Sequence, residues 1–110
     1  MQLNVSGKRI FGNGISFEGE YPALEAVLIN ERVIVTFDWM AFERDLPAQN
    51  LFCYDRSGNL LWRAPDIGMG IVDAYTGVTS EEPLWVANFA GFNCRIDEAS
   101  GQVLETHFTK

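Results

Sequence analysis

From Arg32 to Asp38 the chain reads Arg-Val-Ile-Val-Thr-Phe-Asp, dense in β-branched and aromatic residues with only weak alternation. That is the pattern of a central strand covered on both faces. Two apolar-rich runs follow in Asn50-Leu51-Phe52-Cys53-Tyr54-Asp55-Arg56-Ser57-Gly58-Asn59-Leu60-Leu61-Trp62, joined by a turn in which Gly58 supplies the positive φ such turns require. The stretch predicts a β-hairpin. Its pattern returns about 42 residues later in Phe92-Asn93-Cys94-Arg95-Ile96-Asp97-Glu98-Ala99-Ser100-Gly101-Gln102-Val103-Leu104, where Asp97 answers to Asp55 and Ser100-Gly101 to Ser57-Gly58.

The remaining segments fit around this echo. Gly12-Asn13-Gly14 between Ile10-Phe11 and Ile15-Ser16-Phe17 predicts a short opening hairpin or a pair of edge strands, and Pro22 ends it. Leu24–Ile29 and Arg32–Trp39 are strands joined by Asn30-Glu31 as a two-residue turn, and Met40–Gln49 is a loop with room for a helical turn. After the Pro- and Gly-rich stretch 63–70, strands are expected over Ile71–Val78 and Leu84–Ala90, with 79–83 as a turn, and Val103–Phe108 closes the chain. The expectation is an all-β fold within one domain spanning 1–110: N-terminal strands in 1–20, then two packed antiparallel four-stranded meanders, 24–64 and 70–108. Such a blade-like β-sandwich has nine or ten strands and no substantial helix.

Charge narrows the partners. Fifteen Asp and Glu against eight Lys and Arg give a net charge of −7. A phosphate backbone needs a basic surface, so nucleic acid is an unfavourable partner and a basic protein a better one. The chain has no apolar run of signal-peptide or membrane-spanning length, so the protein is expected in the cytoplasm. Cys53 and Cys94 are then thiols; because Cys94 aligns with Phe52 rather than Cys53, they are expected on opposite sheet faces and unbridged. Two cysteines and the single His107 lack paired-ligand spacing, so neither metal nor cofactor is expected.

A four-strand unit ending in Asp, a Ser-Gly turn and Trp resembles a blade of the quinoprotein (PQQ-like) β-propeller family. Asp55, Ser57, Gly58 and Trp62 carry the first copy, and Asp97, Ser100 and Gly101 the second, where Glu105 stands in place of the Trp. The resemblance implies blade-like meanders, not cofactor binding, and two units are too few to close a ring. Across the whole chain, Asn50–Trp62, Asp73-Ala74-Tyr75, Ile96–Val103 and the terminal Phe108-Thr109-Lys110 are similar to small bacterial immunity proteins of interbacterial toxin systems.

Between Arg63 and Arg95 there is no Lys or Arg, while Asp66, Asp73, Glu81 and Glu82 give that segment a charge of −4. If the turns at 65–70 and 79–83 share one end of the sandwich, these carboxylates form an acidic rim that steers a basic protein in, with Tyr75, Trp85 and Trp39 as aromatic anchors. Paired carboxylates such as Glu18 with Glu20, or Asp38 with Glu43, are the weaker enzymatic alternative. His107 has no nucleophile motif beside it and reads as a partly exposed edge-strand residue. The expectation is therefore a non-enzymatic binding protein, specifically an immunity protein occluding a toxin's active site. The alternative is a self-associating half-propeller, a homodimer through its edge strands without a heterologous partner.

Overall fold

The β-branched and aromatic runs do form strands, and the glycine and asparagine turns set where they end. The structure, a computed structural model, describes residues 1–109; Lys110 of the Phe-Thr-Lys motif lies outside them. Among the described residues there are eleven strands in three antiparallel sheets, one more than the upper expectation of ten. The N-terminal sheet holds β1 (Asn4–Ser6), β2 (Arg9–Gly12) and β3 (Ile15–Glu18). The central sheet is the first meander, β4 (Ala23–Ile29), β5 (Arg32–Phe37), β6 (Leu51–Tyr54) and β7 (Leu60–Arg63). The second meander forms the C-terminal sheet, β8 (Tyr75–Ser80), β9 (Trp85–Asn88), β10 (Phe92–Ile96) and β11 (Val103–Phe108).

Helical structure among the described residues is confined to two 3-10 turns, Trp39–Ala41 and Gly70–Val72, and no helix is long and apolar enough to cross a membrane. Asp38 caps the first turn, its Oδ1 accepting the Met40 N–H at 2.9 Å. The second replaces part of the strand expected over Ile71–Val78, which begins only at Tyr75. Asn30 and Glu31 both take positive φ, 48° and 64°, as a two-residue hairpin turn needs.

The three sheets stack as layers, and the central one is buried on both faces. Val27, Ile34, Leu51, Cys53 and Trp62 pack forward on Tyr75, Leu84, Val86, Cys94 and Ile96 of the C-terminal sheet. Val33, Val35, Phe37, Phe52 and Tyr54 pack backward on Ile10 and Ile15 of the N-terminal sheet. The period-2 alternation of β5 and β6 thus divides one strand's side chains between two cores. Of residues 1–20, whose place the sequence leaves open, β1–β3 build the third layer, while Met1–Leu3 runs along the β4 edge of the first meander.

The layers share one orientation, which corrects the reading of the cysteines. Phe52 and its counterpart Cys94 both point to the preceding layer, so the forward-facing Cys53 and the backward-facing Cys94 enter the same core, as free thiols. Opposite faces in the frame of a single sheet become facing positions when sheets are stacked in the same sense. Burial pushes the Cys53 thiol up to about 12 and the Cys94 thiol to about 11, so both are protonated, unreactive core groups at neutral pH.

Each Ser-Gly turn is keyed by an aromatic ring from the preceding layer. Phe17 lies against Gly58 (φ +89°), where an added Cβ would meet Cγ at 2.8 Å, and Trp62 lies against Gly101 (φ +80°). The Trp62 indole N–H donates to the Glu98 carbonyl at 2.8 Å, fixing the ring across the second turn. The aspartates opening these turns are accounted for locally. Asp55 Oδ1 accepts the Ser57 and Asn59 N–H groups at 2.9 and 3.0 Å, and Asp97 Oδ1 accepts that of Ala99 at 3.0 Å. The Asn59 backbone and side-chain donors hold the Asp55 carboxyl below the usual carboxylate range.

Candidate functional site

In an antiparallel meander successive connections fall at opposite ends, so the turns before and after β8 are separated by that strand's length, roughly 20 Å. The acidic rim expected from Asp66, Asp73, Glu81 and Glu82 is therefore divided: Asp66 and Asp73 precede β8, while Glu81 and Glu82 follow it.

Asp73 and Tyr75 are withdrawn from the surface altogether, at 1% and 0% exposure. Asp73 Oδ2 accepts the Ile67 and Met69 N–H groups at 2.8 and 3.0 Å, and Oδ1 accepts Asn88 Nδ2 at 2.9 Å. The Tyr75 hydroxyl donates to the Pro65 carbonyl at 2.6 Å, and burial pushes its phenol up. Neither is free to contact a partner; both shape the 65–74 loop. Asp66 is half-exposed, with Gln49 Nε2 at 2.8 Å and the Gly68 N–H at 3.0 Å holding its carboxyl below the ordinary range. Charge at Asp66 thus serves the same loop.

At the opposite end the β4–β5, β8–β9 and β10–β11 turns come together around a cleft of about 260 Å³. Glu81, Glu82, Asp97 and Glu98 line it, with Asn30 beside them. Arg95 also borders the cleft, but its Nη1 lies 3.4 Å from Glu105 Oε1 on the outer face. Glu81 Oε1 lies 2.7 Å from the Met1 ammonium. Asn30 Nδ2 donates to Glu98 Oε1 at 2.7 Å, while Glu98 Oε2 is buried with no hydrogen-bond partner. An acceptor in that state is stabilised by any donor brought to it.

Trp85 belongs to this end as well. It pairs with Ser80 at the foot of the acidic turn and is half-buried on the outer face of the C-terminal sheet, its ring 5.0 Å from that of His107. Of the seven residues read as partner contacts, the structure thus gathers Glu81, Glu82 and Trp85, and separates Asp66, Asp73, Tyr75 and Trp39 from them. Asp97 and Glu98 complete the acidic end without having been read as part of it. They lie just beyond Arg95, outside the segment chosen for its lack of basic residues; counting alternate turns of the second meander is the signal that finds them.

The far end carries an exposed apolar patch. Trp39 and Phe89 rings stand 6.1 Å apart, and Met40, Leu46 and Ile71 are exposed around the two 3-10 turns. Among the described residues no three His, Cys, Asp or Glu side chains are grouped to hold a metal ion. Fold and surfaces together define a three-layer antiparallel β protein with an acidic cleft at one end and an apolar patch at the other. The chain belongs to the family described as a domain of unknown function, DUF7957, which it matches over residues 1–108. No curated protein and no solved structure matches the chain.

Proposed function

We propose that this protein is a non-enzymatic binding protein that docks a basic protein on its acidic end, and that its specific role is that of an immunity protein masking the basic active-site cleft of a cognate toxin. The observation that supports this reading is the convergence of Glu81, Glu82, Asp97 and Glu98 on one cleft whose bordering guanidinium is already engaged by Glu105. Lys or Arg side chains entering the cleft would meet a concentrated negative potential. Trp85, beside the cleft, supplies an amphipathic ring for the drier part of such an interface. Occlusion needs no chemistry from the chain itself, only a shape and charge that outcompete substrate.

Electrostatic attraction of this kind acts mainly on the association rate. Tagged protein incubated with lysate of its source organism at low salt is expected to retain one basic protein, whose association slows at least ~10-fold at about 0.5 M salt. The double reversal Glu81→Lys/Glu82→Lys is expected to slow association by a similar factor, whereas Phe89→Ser at the far end leaves it unchanged. Surface-resonance kinetics with the retained protein make the comparison. Equal binding of the reversal variant, or retention of no basic protein, would remove this reading.

A further inference from the structure

We propose that β11 is a self-recognition strand: two copies pair antiparallel along Val103–Phe108, about a two-fold axis at Thr106, and join their C-terminal sheets into one continuous sheet.

The argument starts from how the other long sheet edges are closed. Along β4, the chain at Met1–Leu3 takes up backbone groups, with Leu3 N–H donating to the Ala26 carbonyl at 2.9 Å and Leu28 N–H to that of Met1 at 2.8 Å. Along β8, Glu25 reaches across from β4, and its Oε1 accepts the outward Val78 N–H at 2.8 Å. These are devices that keep an edge from pairing. β11 has none of them. It is six residues long, contains no Pro, Lys or Arg, and forms its strand ladder with β10 alone among the described residues. Leu104 and Phe108 on it are 53% and 64% exposed.

The register follows from which backbone groups are free. Thr109 N–H donates to the Gly91 carbonyl at 2.8 Å, which sets the phase of the ladder. Bonding positions alternate, so His107 and Glu105 face β10 with their N–H and C=O, while those of Thr106 and Phe108 point outward. A bulge at Leu104 ends the regular ladder. A two-fold axis perpendicular to the sheet at Thr106, an outward-facing residue, makes Thr106 a hydrogen-bonded pair and overlaps residues 104–108 of the strand. It places Thr106 opposite Thr106 of the second copy, Glu105 opposite His107, His107 opposite Glu105, and Leu104 beside Phe108.

Each pairing is one that stabilises antiparallel sheets: hydroxyl with hydroxyl, acid with imidazole, apolar with apolar. Axes centred on Glu105 or His107 would set Glu105 opposite Glu105, or His107 opposite His107, and lose the acid–imidazole pairing. The interface is isologous and closes at two copies. Leu104 also lines the acidic cleft, so pairing sets the second copy against one wall of it; the dimer stands on strand geometry and does not depend on the partner reading above.

The full chain at concentrations from about 1 μM to about 0.5 mM, followed by sedimentation velocity, is expected to shift from 12.4 kDa toward twice that mass. Thr106→Pro removes an outward N–H and spares the β10 ladder, so this variant is expected to keep its circular dichroism and remain monomeric. A second measurement fixes the register whatever the proline variant does. Under mild oxidation Thr106→Cys is expected to form an inter-chain disulfide, whereas Phe108→Cys is not, because those positions in the two copies lie about 13 Å apart along the strands. A chain that stays monomeric throughout would overturn the proposal and leave β11 to a strand of another protein. Cross-linking at Phe108 as efficient as at Thr106 would overturn the register.

Discussion

Gly101→Ala is expected to destabilise the protein by about 3 kcal/mol, through two independent costs at one atom. The residue sits at φ +80°, where an L side chain is strained by about 1–2 kcal/mol. The new methyl group would also lie 2.5 Å from Cε3 and 2.6 Å from Cδ2 of Trp62, whose ring is pinned by its bond to the Glu98 carbonyl and cannot slide away freely. Overpacking of that kind adds about 1–3 kcal/mol. Thermal unfolding should shift down by roughly 10–20 °C. A double-mutant cycle separates the two terms: with Trp62→Leu in place, the penalty of Gly101→Ala should shrink to the conformational part. An undiminished penalty would show that the ring contact contributes nothing.

Asn50→Ala is expected to cost as much or more, about 3–5 kcal/mol, for a different reason. Asn50 is fully buried and ties the central sheet to the C-terminal one. Its Nδ2 donates to the Phe37 and Tyr75 carbonyls at 2.7 and 2.8 Å, and its Oδ1 accepts the Tyr75 N–H at 2.8 Å. Alanine leaves three buried main-chain groups unpaired, each at about 1–3 kcal/mol before the site relaxes. Urea denaturation should show a lower midpoint with an unchanged slope. Asn50→Asp keeps the acceptor but loses both donated bonds, setting a carboxylate against two carbonyls, and should be no better than alanine at neutral pH.

The meanders were legible because their signals are local. The density of Val, Ile and Phe in β5, the Asn30-Glu31 turn and the paired Ser-Gly turns each act within a few residues, and the strands fall close to where those signals put them. β1 was not legible: Asn4-Val5-Ser6 carries one apolar residue and is a strand only because it pairs with β2. Asp73 and Tyr75 misled for the same reason in reverse. Nothing in an aspartate's neighbours along the chain says that two amides and an asparagine will converge on it to make burial tolerable. Asn50 reads as the start of a hairpin, and its bridging role exists only once two sheets are stacked. The acidic end was half legible, since charge is written in the sequence but the alternation of meander ends decides which charges meet.

The shared orientation of the layers has an energetic consequence. The outer sheets meet the middle one through separate cores, so the molecule behaves as a short one-dimensional array with two nearest-neighbour interfaces. In such an array the terms are unequal in kind: losing an end layer forfeits one interface, while losing the middle layer forfeits both. Cooperativity between the two cores is then carried by the rigidity of β5 and β6, which contribute side chains to each. A softened middle sheet would let the ends melt at different temperatures, although no residue of either end had changed.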